Sequence, residues 1–117
     1  MKEKIAKLRT NAAPGPEQIC TRVLQAVVDV LALPISVLYA RSLEEGVVPG
    51  DWRRANVAPI YKKGPKSEAG NYRPVSLTCI LCKVMESIIR DAITQHLASN
   101  NLILPSQHGF MARKSCN

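Results

Sequence analysis

Val57 to Leu77 reads VAPIYKKGPKSEAGNYRPVSL, and the order of residue types in it decides how the middle of the chain folds. Short runs with β-branched and aromatic residues stand at both ends, and the stretch between them collects lysine, glycine, proline, serine and asparagine. That pattern predicts a hairpin with strands at Asn56 to Tyr61 and Tyr72 to Leu77 joined by a glycine-containing turn. Pro59 lacks a backbone N–H, which confines the first strand to an edge or to a position outside the hydrogen-bond ladder.

The charge of the hairpin is as informative as its pattern. From Arg53 to Arg73 there are six basic residues (Arg53, Arg54, Lys62, Lys63, Lys66, Arg73) against Glu68 alone, so this span carries five of the seven net positive charges of the 117-residue chain. Concentrated positive charge calls for a polyanionic partner, with a solvated basic loop as the plain alternative. Strand alternation sends Lys62 and Lys63 to opposite faces, so only one of them can share a face with a given ligand. Arg73 on the return strand can come back beside that lysine. A compact ammonium and a planar guanidinium fork then form a two-point clamp suited to a triphosphate or a nucleic-acid backbone. Tyr61 and Tyr72 flank the clamp, placed either to stack on a base or to pack under the hairpin.

Beyond the hairpin, the clearest periodicity lies in Leu81, Val84, Met85, Ile88, Ile89, Ala92, Ile93, His96 and Leu97, which fall on one helical face and predict an amphipathic helix from Thr78 to Ser99. His96, at the edge of that stripe, reads as a packed or capping residue. Upstream, a basic segment ends at the Pro14-Gly15-Pro16 turn, after which a helix is expected from near Pro16 with Cys20, Val23, Leu24, Val27, Val28 and Leu31 as its buried stripe. Pro34 is expected to break or kink it, and Ile35, Leu38 and Leu43 to carry a second segment as far as Gly46. Trp52, the only tryptophan, reads as a packing residue.

A content of 46% hydrophobic residues with moderate charge argues for one small folded domain. No secretory signal is visible, because the basic start runs into Thr10-Asn11 and a proline turn, and Ala26 to Ala40 is too interrupted to span a membrane. The expectation is a soluble intracellular chain, nuclear or cytoplasmic, with Cys20, Cys79, Cys82 and Cys116 as reduced thiols. Cys79 and Cys82 have the spacing of a zinc or redox half-site, but no second pair supplies the remaining ligands, which favours helix residues.

Four blocks, in order, resemble the fingers region of reverse transcriptases from non-LTR, LINE-type retrotransposons of the jockey and CR1-like group. They are Ala13 to Pro16 with Ile19; Gly46 to Trp52 running into Arg54 to Val57; Pro59 to Gly64 followed by Asn71 to Leu77; and Gln107 to Phe110 with Ser115-Cys116. The resemblance implies an α+β, helix-rich partial fingers subdomain with a short basic hairpin. Its parts would be a basic segment at 1–13, a helical pair at 14–46, the hairpin at 53–77, the amphipathic helix at 78–99 and a lead-in to the palm at 100–117. It further implies that Lys62, or alternatively Lys63, and Arg73 close over an incoming nucleotide. Tyr61 and Tyr72 would lie beside them, and Gln107, Gly109 and Phe110 would line the template and nucleotide site. RNA template, DNA primer and deoxynucleotides are the partners implied for the full-length family, with Mg²⁺ as its cofactor.

The motifs of the palm, which follows this region in the family, are not expected within these residues. Glu3, Glu17, Asp29, Glu44, Glu45, Asp51, Glu68, Glu86 and Asp91 are the only acidic residues, and none forms an Asp-Asp pair or an aromatic-x-Asp-Asp turn. Two-metal nucleotidyl transfer needs converging carboxylates, so the expectation is a fingers segment with no catalytic residue, no metal ligand and no activity alone. It should bind RNA or single-stranded DNA weakly and in a salt-sensitive way, and self-associate through whatever part of the Leu81 to Leu97 stripe the palm would cover. Departures from the family pattern at Ala12, Gln18 and Met111 suggest relaxed constraint. A stand-alone nucleic-acid-binding or interaction module, a functionless element remnant and a small thiol or zinc protein are the rival readings.

Overall fold

The computed structural model describes residues 1–113; Lys114 to Asn117, including the Ser115-Cys116 part of the fourth block, lie outside the described residues. The order of elements is α1 (Lys2–Ala6), α2 (Thr21–Ala26), α3 (Val28–Glu45), β1 (Ala55–Tyr61), β2 (Tyr72–Thr78) and α4 (Ile80–Ser99), with single 3-10 turns at Gly50–Arg53 and Ala69–Asn71. This is the mixed helix-and-hairpin α+β class that the sequence predicts. The chain divides into two compact units, Met1–Glu86 and the residues from Ser87 onward, and the division falls inside α4.

In the first unit the basic start is anchored. Ile5 is completely buried, and the side-chain amide of Gln25 donates to the carbonyls of Ile5, Ala6 and Leu8 at 3.0, 3.2 and 3.1 Å. These carbonyls lie at and just beyond the end of a helix too short to be stable alone, and Gln25 ties that end to α2. The rest of this basic segment is largely exposed; one isoleucine among lysines forms no visible stripe in the sequence, yet burying it contributes ~1.5 to 3 kcal/mol.

The next helix begins at Thr21, not near Pro16, and the helical run is interrupted at Val27 (φ −109°, ψ 10°), not at Pro34. Pro34 sits within α3 on its exposed side, where the carbonyl freed by the missing N–H can turn to water. The inward stripe of α3 is Ala32, Ile35, Tyr39 and Ser42, a regular three-four-three spacing. Of the stripe expected upstream only Leu24 is buried; Cys20, Val23 and Val27 face solvent, as do Leu38 and Leu43. The helix ends in a left-handed Gly46 (φ 65°) with Val47 N–H donating to Ser42 O at 3.2 Å, the glycine stop that the sequence predicts.

Trp52 packs edge-on to Tyr39, with ring centroids 5.8 Å apart, and the Tyr39 hydroxyl donates to Leu81 O at 2.6 Å. Around them Leu24, Ile35, Ile80, Val84 and Met85 close the core. Burial, with Cys79 and Cys82 nearby, raises the Tyr39 phenol above its ordinary range.

The Pro14-Gly15-Pro16-Glu17 turn is locked onto the start of α4. Glu17 Oε1 accepts from Ile80 N–H at 3.0 Å, capping the helix from 63 residues away, while Oε2 is buried without a hydrogen-bond partner. A Cβ on Gly15 would stand 2.6 Å from the Thr78 carbonyl, so only glycine fits this approach. The cap also explains why α4 begins at Ile80, two residues later than expected.

The strands match the prediction to within a residue. They pair antiparallel from Ala55↔Thr78 to Tyr61↔Tyr72, with Pro59 opposite Pro74. Lys62 N–H donates to Asn71 O at 2.8 Å, which makes that rung a hydrogen-bonded one and, by alternation, Pro59↔Pro74 and Tyr61↔Tyr72 non-bonded ones. Both proline nitrogens therefore point away from the partner strand, toward the two outer edges, where no N–H is needed.

In the second unit α4 ends in a Schellman motif. Asn101 is left-handed (φ 52°), with Leu102 N–H bonded to Leu97 O at 2.9 Å and Asn101 N–H to Ala98 O at 3.2 Å. His96 is exposed and not packed, its carbonyl taking a bond from Asn100 Nδ2 at 2.8 Å. Leu97, Leu102, Ile103, Leu104 and Met111 then border an apolar hollow of about 400 Å³.

Candidate nucleotide and nucleic-acid interface

The register sorts the predicted site residues onto two faces of the hairpin. Asn56, Ala58 and Ile60 share a face with Leu77, Val75 and Arg73, and Lys62 continues it past the last strand residue. Ala58, Val75 and Leu77 on this face are half-buried, whereas Val57, Pro59, Pro74 and Ser76 on the other are exposed. Lys62 and Arg73 thus stand at the open end of the inner face, both solvent-accessible. Lys63 alternates away and lies in the loop. Geometry therefore favours Lys62 as the lysine on the arginine's side.

Tyr61 and Tyr72 occupy the outer face. As a non-bonded pair their side chains approach closely, and the rings meet edge-on at 5.7 Å and 62°. The Tyr61 hydroxyl donates to Gly64 O at 2.5 Å and that of Tyr72 to Lys66 O at 2.8 Å, while Lys66 Nζ stands 5.5 Å from the Tyr61 ring centroid. Both hydroxyls thus hold the loop, with the Tyr61 ring exposed and the Tyr72 ring half-buried.

Two loop residues that composition does not single out as functional complete this arrangement. Asn71 Nδ2 donates to Pro65 O at 2.7 Å, and Asn71 N–H to Glu68 O at 3.1 Å. Gly64 has φ 91°, and a Cβ there would come within 2.8 Å of Asn71 Nδ2. The signal for both was the turn chemistry itself: glycine for positive φ, asparagine for a side chain that bonds nearby backbone.

Gln107, Gly109 and Phe110 belong to the second unit. Gln107 Nε2 donates to Gly109 O at 2.9 Å, and Phe110 is fully exposed with a left-handed backbone (φ 59°). The structure thus groups Lys62, Arg73, Tyr61 and Tyr72 in one hairpin and Gln107, Gly109 and Phe110 in another unit.

Among the described residues no three His, Cys, Asp or Glu side chains gather as a metal-holding group. Cys79 and Cys82 are both buried, and burial, followed by the carboxylate of Glu86, pushes the Cys82 thiol up to about 11. A thiol so raised is neither a ready nucleophile nor a ready ligand at neutral pH. No helix of the described residues is long and apolar enough to cross a membrane.

With the hairpin and its flanking blocks in place, comparison with known proteins assigns the class: the chain is similar, over almost all of its length, to a segment of the RNA-directed DNA polymerases of non-LTR mobile elements. It is 30% identical over 111 residues to a probable RNA-directed DNA polymerase from transposon X-element and 29% identical over 111 residues to the RNA-directed DNA polymerase from mobile element jockey, both of Drosophila melanogaster. It is 28% identical over 115 residues to a retrovirus-related Pol polyprotein from the type-1 retrotransposable element R1 of Bradysia coprophila. These matches cover 94%, 94% and 97% of this chain but only 12%, 12% and 11% of those proteins. No family model matches. The resemblance carried by the four sequence blocks is borne out, and the chain corresponds to a fragment of its relatives' length.

Proposed function

We propose that this chain is the phosphate-holding fingers portion of a retrotransposon RNA-directed DNA polymerase, and that Lys62 and Arg73 bind the phosphates of an incoming nucleotide or of a template strand. The observation that carries the reading is their shared position at the open end of the hairpin's inner face, in a chain similar to such polymerases over nearly its whole length. Arg73 supplies a fork for two phosphate oxygens and Lys62 a compact charge beside it. RNA, DNA and deoxynucleotides are the partners this role requires, and the carboxylates that bind metal would come from outside these residues.

Titration of single-stranded RNA at several salt concentrations tests the proposal. Replacing Lys62 and Arg73 by alanine should weaken binding and flatten the dependence of log K on log salt by about two phosphate contacts. The same double replacement at exposed Lys7 and Arg9 should do less. Equal effects from both pairs would reduce the hairpin to one part of a diffuse positive field.

A further inference from the structure

We infer that Tyr61 and Tyr72 are positioning residues for the phosphate clamp, acting through the carbonyls of Gly64 and Lys66 and not by stacking on a base. The inference rests on the phosphate reading of Lys62 and Arg73 and deepens it.

Three observations lead there. The tyrosines form the last rung of the hairpin and face the side opposite to Lys62 and Arg73. A nucleotide whose phosphates sit on the inner face would have the sheet between its base and these rings, so one ligand cannot use both. The phenol oxygens, meanwhile, are committed to the loop, at 2.5 Å to Gly64 O and 2.8 Å to Lys66 O, and each ring braces the other at 5.7 Å. The loop itself closes on Lys62: its N–H bonds Asn71 O at 2.8 Å, and the Asn71 side chain ties back to Pro65 O at 2.7 Å. Lys62 is therefore the hinge between strand and loop, and what fixes the loop fixes the lysine's approach to Arg73. A clamp arranged beforehand avoids ordering a flexible segment when the anion arrives.

The test uses the full chain with Tyr61→Phe and Tyr72→Phe, which keep the ring and remove the hydroxyl, beside Tyr61→Ala and Tyr72→Ala. Inorganic triphosphate and dATP are the two probes, and amide hydrogen exchange at Lys62 is followed in every variant. Positioning predicts that each phenylalanine variant melts like the parent, binds both probes about three- to tenfold more weakly, and exchanges the Lys62 amide faster by a similar factor. If the phenylalanine variants bind like the parent and the alanine variants lose dATP but keep inorganic triphosphate, the rings stack on bases and the inference is wrong. If the parent binds neither probe, the phosphate reading fails, and with it the clamp these tyrosines would serve. The exchange data then still decide whether the hydroxyls hold the loop, and unchanged exchange in the phenylalanine variants overturns that as well.

Discussion

Glu17 shows how much a single side chain can fix in this protein. Its carboxylate closes the first turn of α4 across the fold, and Glu17→Ala should destabilise the chain by ~0.5 to 2 kcal/mol, the usual cost of a lost helix cap. Thermal unfolding measures that loss, and an unchanged melting temperature would mean that water replaces the cap without cost. Cys82 gives a second test. With its thiol raised from 9.0 to about 11, it should resist alkylation near neutral pH while exposed Cys20 reacts, as mass mapping after a short iodoacetamide pulse would reveal. The raised value also links to stability. Between pH 9 and pH 11 the unfolded thiol loses its proton first, so this contribution is whole below pH 9 and fades as pH rises toward 11. Cys82 was legible as a helix residue from the missing second ligand pair, whereas the role of Glu17 was not. Glu17 in the sequence is one acid after a proline turn, and its partner is 63 positions away.

The hairpin and α4 were legible because their signals are local. Proline, glycine and asparagine punctuate the first, and a 3.6-residue apolar period marks the second along its length. The α2–α3 boundary was not legible. A proline looks like a stop in sequence, but its cost depends on whether the freed carbonyl meets water, and Val27 carries no breaking signal. The loop's geometry depended on φ at Gly64, where Gly64→Ala should strain the backbone and push against Asn71. We expect a loss of about 1 to 3 kcal/mol in unfolding free energy, read by denaturant titration, together with weaker RNA binding. Wild-type stability in that variant would show that the loop has another comfortable path. The facing prolines add a constraint of a different kind: with no N–H at Pro59 or Pro74 on the outer edges, the hairpin is a poor template for further strands.

At the scale of the whole chain, α3 exposes an apolar face that the sequence did not single out. Of the Leu81 to Leu97 stripe, Val84 and Met85 are in the core while Ile93 (54%) is exposed, and α3 exposes Val30 (78%), Leu33 (74%) and Val37. Periodicity reveals that a helix has an apolar face; it does not reveal which neighbour covers it. Self-association, if driven by this face, should fall with Leu33→Glu at an unchanged melting temperature, as sedimentation of parent and variant would report. An undiminished sedimentation coefficient would direct attention to Ile93 and the hollow beside Leu97.

The bond from Glu17 to Ile80 also sets an order of events during synthesis. A ribosome adding ~5 to 20 residues per second completes the Pro-Gly-Pro-Glu turn roughly 3 to 13 seconds before it reaches the residue that the turn will cap. Until then the Glu17 carboxylate lacks the Ile80 N–H that it accepts from, and α4 gains its cap only once its first turn has emerged. Circular permutation that moves residues 1–20 behind α4 would reverse that order, leaving the nascent helix open at its start while the hairpin folds beside it.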